Sequence, residues 1–291
     1  MALVNNCETR VGKTYSFIPA WRDPMNRIKV CMSGVSGWVG KAMAPVITDS
    51  QDMELVGAVS RSYAGKSLSE ITGRKGHNLM ISGSIEEALR IQTDVMIDYT
   101  SADAVKSNIL TAIRHGVHCV VGSSGLTDSD YDEIDAAARK NKVGVVAAGN
   151  FALSAALLLH FATVAARYMP SWEIIDYASG EKPDAPSGTA RELAYRLSKV
   201  GKPHFDVAPD RIIGPRESRG ATLNGNQVHS IRLPGHIIGS EVSFGKPDER
   251  LVLKYDGGSG AGPYIEGTFL AVRKVQDLVG LTRGLDMLLD L

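Results

Sequence analysis

The stretch of this sequence best suited to hold an anion is Lys182-Pro183-Asp184-Ala185-Pro186-Ser187-Gly188-Thr189-Ala190. Its two prolines stiffen a loop, and Ser187, Gly188 and Thr189 then open a helix predicted to run through Leu197. A serine or threonine at a helix start satisfies an orphan backbone N–H with its side-chain oxygen. A glycine beside it lets a ligand reach bare backbone. The free N–H groups and partial positive charge of such a helix end suit a carboxylate or phosphate. Lys182, six residues before Gly188, can add a full charge to the same pocket. The plainer alternative is a rigid loop with an ordinary cap.

A second constellation lies near the start of the chain. The apolar run Ile28 to Met32 leads into Ser33-Gly34-Val35-Ser36-Gly37-Trp38-Val39-Gly40, and a helix is predicted from Lys41 to Thr48. Strand, glycine-rich turn and helix in this order let a dinucleotide pyrophosphate rest on the helix N-terminus. The next strand, Met53 to Val59, ends in Ser60-Arg61-Ser62 with no acidic residue at its tip. An acid there would bind the ribose 2′-OH of NADH, whereas an arginine accommodates a 2′-phosphate. Ser60 and Arg61 therefore predict NADPH as cofactor, with NADH the second possibility. The competing reading of Arg61 is a solvated loop cation.

The elements that must position these residues alternate. Strands are predicted over Val95–Thr100, Cys119–Val121 and Val143–Ala148, and helices over Ala102–His115, Tyr131–Lys140 and Ser154–Tyr168. That alternation predicts an α/β fold with a Rossmann-type, doubly wound parallel sheet, whose ligands bind beyond the carboxyl ends of the strands. Asp98-Tyr99-Thr100, Gly122-Ser123-Ser124-Gly125 and Gly149-Asn150-Phe151 fall at such ends. From Trp172 onward the rhythm changes. Runs at 172–177, 227–233, 240–244 and 250–255 have the period of a mixed sheet with one covered face, which predicts a second α+β domain. A glycine-rich loop at 256–263 precedes a helix from Ile265 to Val275, and Gly284–Leu291 is expected to form a last short helix packed back on the first domain.

Composition limits the possible functions. Lysine plus arginine equal aspartate plus glutamate at 32 each in 291 residues, so nothing favours nucleic acid or an acidic membrane surface. No apolar run reaches the roughly 20 residues of a membrane-spanning helix. Cys7, Cys31 and Cys119 are odd in number, which argues for a reducing, cytoplasmic setting and against a disulfide framework. No cysteine or histidine spacing suggests a metal site. His160, on an apolar helix, is expected to be a hydrogen-bonded core residue. Residues 1–24 lack a signal-peptide layout, and Met25 is a candidate true start.

Together these motifs resemble the 4-hydroxy-tetrahydrodipicolinate reductase (formerly dihydrodipicolinate reductase) family over roughly residues 26–291. The resemblance rests on the Gly34/Gly37/Gly40 turn, Asp98-Tyr99-Thr100, Gly122-Ser123-Ser124-Gly125 and Asn150-Phe151. It also rests on Lys182 with Asp184 to Ala190, and on Arg232-Leu233-Pro234-Gly235 through Ile238-Gly239. It implies an NAD(P)H-dependent reductase of the lysine and diaminopimelate pathway, usually a homotetramer built through the second sheet. Residues 1–25 would be an extension. Residues 26–149 would bind dinucleotide, completed by 265–291, and 150–264 would bind substrate and oligomerise. Lys182, Ser187, Gly188 and Thr189 would hold a carboxylate of a small dicarboxylate substrate. Gly34, Ser36, Gly37, Trp38, Val39 and Gly40 would hold the cofactor's phosphates. Gly122, Ser123, Ser124, Ala148, Asn150 and Phe151 would lie by the nicotinamide and its ribose.

One departure bears on mechanism. Members of the family usually carry two histidines four and three residues before the lysine, one of them the proposed proton donor; here those positions are Ala178 and Ser179. Either the role has moved or the substrate has changed. The candidates for a replacement acid are Lys182, Tyr177 and Glu181, with His236 and His229 more remote, and Lys182 and Tyr177 lead as candidate catalytic residues. Three functions stay open. The first is 4-hydroxy-tetrahydrodipicolinate reduction with an altered acid. The second is an NAD(P)H-dependent reductase of the same fold acting on a different carboxylated imine or carbonyl. The third is a non-enzymatic NADPH-binding protein.

Overall fold

A computed structural model describes residues 27–74 and 78–290. The extension and the candidate start at Met25, along with Cys7, lie outside the described residues. The chain runs β1 (Ile28–Ser33), α1 (Trp38–Thr48), β2 (Met53–Val59), α2 (Leu68–Thr72), α3 (Ile85–Ala88), β3 (Val95–Asp98), α4 (Val105–Arg114), β4 (His118–Val121), α5 (Asp128–Asn141) and β5 (Gly144–Ala147). It continues through α6 (Leu153–Ala165), β6 (Ser171–Ala178), α7 (Gly188–Val200), β7 (Ala221–Leu223), β8 (Asn226–Arg232), β9 (Ile238–Lys246), β10 (Glu249–Gly257), α8 (Gly262–Lys274) and β11 (Gly280–Arg283).

The first sheet has the order β11-β5-β4-β3-β1-β2, and every pairing in it is parallel. Its strands are apolar on both faces, as a sheet covered by helices on both sides requires. Val30 and Met32 of β1 pack with α1 (Met43, Ile47) and α8 (Phe269, Val272). Cys31, between them, points the other way onto the layer of α4 and α5 (Ile109, Ile113, Ile134). Cys31 and Cys119 are both buried and unpaired, and burial pushes the Cys31 thiol up to about 12. Their role is packing.

Register brings the site loops together. Val59, Ser33, Asp98, Val121, Ala147 and Arg283 are successive neighbours across the sheet. The strands thus end along one line, and the loops predicted to bind ligand leave from that line.

The second sheet, β10-β9-β6-β8-β7, is mixed: β6 and β8 run parallel and the other pairs antiparallel. Along β6, burial alternates strictly. Trp172 and Ile174 face α6 and α7, where they meet Leu158, Leu159, Leu193 and Leu197, while Glu173, Ile175 and Tyr177 face away.

The C-terminal expectation needs correction. Gly280–Arg283, not anticipated, forms the sixth strand of the first sheet beside β5, and the last short helix is only a single 3₁₀ turn over Leu285–Leu288. A four-residue strand opening on a glycine with φ +90° carries no readable alternation. The short helices α2 and α3 were likewise below the length at which periodicity shows. The helix expected from Ala102 starts only at Val105.

Candidate active site

A cleft of ≈ 410 Å³ opens between the strand ends of the first sheet and the start of α7. Gly37, Trp38, Val39, Gly122, Ser123, Ser124, Ala148, Asn150 and Phe151 line it from the first half of the chain, and Lys182, Ser187, Gly188 and Thr189 from the second. Residues nominated separately as cofactor and substrate groups thus share one space. A neighbouring cavity of ≈ 510 Å³ is lined by Gly34, Ser36, Ser60, Arg61 and Ser62. Gly37, Tyr99 and Thr100 border both.

The glycine-rich turn divides its labour. Gly34 has φ +81°, and a Cβ there would lie 2.3 Å from the Tyr99 carbonyl oxygen. Gly40 packs under the turn, where a Cβ would meet the Gly34 carbonyl at 2.4 Å, and it lines neither cavity. Its role is packing of α1 against the turn. At Gly37 the nearest atom to a Cβ is 3.3 Å away. Gly37 is also the N-cap of α1, with no side-chain acceptor on the first-turn N–H groups. Bare backbone and an uncapped helix start where the two cavities meet fit a pyrophosphate, with one nucleoside on either side. Ser36 Oγ and Ser60 Oγ, 2.8 Å apart, tie the turn to the end of β2. Arg61 is exposed, its guanidinium 3.8 Å from Asp103.

Asp98, fully buried at the end of β3, shapes the floor. Its Oδ1 accepts the hydroxyls of Thr100 (2.7 Å) and Ser123 (2.6 Å), and its Oδ2 accepts Asn108 Nδ2 (2.9 Å). The Ser123 oxygen in turn accepts the Thr100 N–H at 2.6 Å. Ser123 therefore braces two strand-end loops. Gly122 lies against the Tyr99 ring, 2.1 Å from where its Cβ would be, and Tyr99 bonds Thr268 of α8 at 2.8 Å. Burial raises the Tyr99 phenol well above its usual range. It is a neutral wall.

On the wall expected to hold substrate, Ser187 caps α7, its Oγ accepting the Ala190 N–H at 3.3 Å. The N–H groups of Gly188 and Thr189 have no intrahelical acceptor. The loop before them, with a cis Ala185–Pro186 peptide, hangs from buried Asp176. Asp176 Oδ2 accepts the Ser187 N–H (2.8 Å) and Arg232 Nη2 (2.7 Å), and the same Arg232 nitrogen donates to the Asp184 carbonyl (2.7 Å). Lys182 Nζ lies 2.6 Å from Asp184 Oδ1. Burial raises the Asp184 carboxyl, but Lys182 and then Arg191 outweigh it and hold it below its usual value.

Tyr177 is not brought to the cleft. Strand alternation places it on the face of the second sheet opposite buried Asp176 and Ala178. There its hydroxyl donates to Glu241 at 3.1 Å and its ring lies 5.2 Å from that of His236. Burial, followed by Glu241, raises the phenol further. His229 Nε2 lies 2.7 Å from Glu173 on the same outer face. Among the proton donors nominated from sequence, Lys182 alone lines the cleft. Thr100 and Ile238, noted from sequence only within the motifs, line it too, as does Tyr264, which the sequence did not single out. Tyr264 meets Trp38 edge-on at 5.6 Å across the mouth, a contact between α1 and α8 that no local pattern announces. His160, half-buried, meets the Phe161 ring edge-on. Among the described residues no group of three or more metal-ligating side chains occurs, and no helix is long and apolar enough to cross a membrane.

Family models agree with this architecture. The model of the dihydrodipicolinate reductase N-terminus matches residues 28–151, and that of its C-terminus residues 154–289. A 4-hydroxy-tetrahydrodipicolinate reductase of Desulfitobacterium hafniense is 37% identical over 91% of this chain and 100% of its own. That of Moorella thermoacetica is 35% identical over 90% of this chain and 98% of its own. Among solved structures, a dipicolinate-bound dihydrodipicolinate reductase from Paenisporosarcina superposes with a TM-score of 0.75 at 29% identity, covering 90% of this chain and 100% of that one.

Proposed function

Since this chain belongs to the dihydrodipicolinate reductase family, and so to the NAD(P)H-dependent oxidoreductases, we propose that it uses NADPH to reduce 4-hydroxy-tetrahydrodipicolinate to tetrahydrodipicolinate, a step toward diaminopimelate and lysine. The observation that carries this reading is the shared cleft: Gly37, Gly122 and Asn150 on one wall, Lys182 and Ser187–Thr189 on the other.

The nicotinamide, when bound, supplies a hydride. The protein's own groups do the rest. The N–H groups of Gly188 and Thr189 and the positive end of α7 receive one substrate carboxylate. Lys182 exchanges Asp184 for that carboxylate, and Asp184, partly exposed to water, keeps Arg191 at 3.7 Å as its counter-ion. Trp38 and Tyr264 narrow the mouth against water. Arg61, with Ser60 and Ser62, supports the 2′-phosphate and hence NADPH over NADH. The same reading carries a homotetramer assembled through the second sheet, four times the 31.2 kDa chain mass in sedimentation equilibrium.

One observation favours a second reading. Ala178, fully buried as the last residue of β6, stands where the family resemblance implies a histidine. A reductase of the same fold acting on another carboxylated imine or carbonyl would tolerate that loss.

The test is NADPH oxidation with 4-hydroxy-tetrahydrodipicolinate generated in situ, beside an NADH control and the Lys182→Met variant. Ordinary turnover, with KM raised roughly 10- to 100-fold in Lys182→Met as a charge-assisted contact is lost, supports the first reading. NADPH binding without turnover of this substrate moves the assignment to the second.

A further inference from the structure

A reduction needs a proton as well as a hydride, and Lys182, the one nominated donor in the cleft, is engaged with Asp184 at rest and with the substrate carboxylate once it binds. Resting on the proposed reduction of a carboxylated imine in this cleft, we propose that Glu192 supplies that proton, through a single water and the Thr189 hydroxyl. Glu192 lies three residues beyond Thr189 on α7, on the same helix face.

Three features place it on a route. First, Glu192 shares a chamber of ≈ 20 Å³ with Asn150 and Thr189, the remaining lining being backbone or apolar. About 10–15 Å³ suffices for one water, and Glu192, Asn150 and Thr189 offer it polar partners. Second, Asn150 and Thr189 line the cleft as well as this chamber. Thr189 Oγ1 accepts Asn150 Nδ2 at 3.2 Å, while Asn150 Oδ1 accepts the Ala152 N–H at 2.8 Å. The amide is thereby oriented, and the Thr189 hydroxyl proton is free to leave toward the cleft. Third, Glu192 also borders a cavity of ≈ 440 Å³ open to solvent, rimmed by exposed Ser124, Gly125 and Asp128. A carboxyl that borders both this small chamber and the solvent-open cavity can give its proton inward and regain it from outside.

The carboxyl is built to be protonated. Its Oε1 is buried with no protein partner among the described residues, and an unpaired buried carboxylate is far costlier than a neutral acid. The charged and titratable groups facing it are Arg283 of β11, Arg196 of its own helix, Asp286 of the C-terminal turn and Tyr131 of α5. Both arginines are engaged elsewhere: Arg196 with Asp286 at 2.6 Å, and Arg283 with Asp128 at 3.0 Å, held between the rings of Tyr131 and Tyr195. Burial, the largest influence, raises the Glu192 carboxyl; Arg283 and Arg196 oppose it and Asp286 reinforces it.

The step balances. The substrate carbon that takes the hydride gives up its π bond, and that electron pair takes the Thr189 hydroxyl proton on the adjoining ring atom. Thr189 is reprotonated by the water and the water by Glu192, which ends as a carboxylate and is recharged from the open cavity. The nicotinamide is oxidised.

Glu192→Gln is expected to lower kcat about 100-fold, the scale of general acid catalysis. KM and the NADPH Kd should stay within about 3-fold, and the fall of kcat at high pH should disappear. Independently of turnover, infrared difference spectra of the wild type should show a protonated buried carboxyl near neutral pH that is absent from Glu192→Gln. Unchanged kcat in the variant, or an ionised Glu192 in the wild type, overturns the proposal. A wild type inactive on the dicarboxylate overturns the substrate reading instead, and the infrared band alone then decides for or against Glu192. If Glu192→Gln does not fold, Thr189→Val should lose turnover and Thr189→Ser should restore it; equal rates would overturn the relay.

Discussion

Arg232 Nη2 lies 2.7 Å from Asp176 Oδ2, and this buried pair holds both ends of the loop that starts α7. Asp176 takes the Ser187 N–H while Arg232 takes the Asp184 carbonyl. Asp176 is fully buried, so removing its charge leaves Arg232 uncompensated, at a cost of about 3 kcal/mol. Asp176→Asn should lower the urea midpoint accordingly and raise KM for the substrate more than it lowers kcat, because the loop that presents Gly188 and Thr189 loses its anchor. A KM within 2-fold of wild type, allowing for about that scatter in such contributions, would mean the loop holds its shape without the pair.

Two glycines of one turn should fail in different ways. Gly37→Ala puts a Cβ 3.3 Å from the Gly34 carbonyl oxygen, a tight contact that a shift of a few tenths of an ångström relieves. The melting temperature should therefore fall far less than in Gly40→Ala while the NADPH Kd rises about 10-fold, or roughly 1.4 kcal/mol. Gly40→Ala drives a Cβ to 2.4 Å from the Gly34 carbonyl and 2.6 Å from Val35 Cα. It should lose about 1–3 kcal/mol of stability, the usual range for overpacking. Calorimetry and a fluorescence titration of exposed Trp38 separate the two.

Arg61 sets a cofactor test. Its carboxylate neighbour Asp103 is distant at 3.8 Å and both are well exposed, so an incoming 2′-phosphate can take the guanidinium at little cost. Arg61→Ala should weaken NADPH about 10-fold and leave NADH unchanged, measured as Kd for each. Equal losses for both cofactors would remove Arg61 from 2′-phosphate recognition.

Acid stability should depend on a contact between sequence-distant parts. Arg273 of α8 holds Asp52 through Nε–Oδ2 (2.6 Å) and Nη2–Oδ1 (3.2 Å). The Arg273 hydrogen bond is the largest influence on Asp52 and lowers it below its ordinary 3.8, burial opposing. A lowered folded value means that stability is fully present above pH 3.8 and is lost as pH falls below it. Asp52→Asn should therefore cost about 1 kcal/mol at pH 7, given partial exposure. The difference from wild type should shrink as pH drops below that value. Chemical denaturation at several pH values checks both the size and the sign.

Much of this protein was legible in short stretches. Gly34, Gly37 and Gly40, the Ser187 cap and the alternation along β6 each carry their geometry in neighbouring residues, because backbone sterics and hydrogen bonding act over a few positions. The same alternation already turned Tyr177 away from Ala178. Residue type alone did not show the local contacts: Gly40 packs the turn, and the Ser123 hydroxyl donates to Asp98. β11 escaped because its four residues have no pattern of their own and are a strand only through pairing with β5.

The sequence by itself determined the parallel sheet, the glycine-rich turn before α1 and the serine-capped start of α7. Tertiary structure alone decided that Tyr264 would meet Trp38, that Arg232 would anchor the Asp184 loop, and that Glu192 would border both a small chamber and a cavity open to solvent. Such relations join residues tens to hundreds of positions apart, and burial and charge at each point are set by everything packed around it.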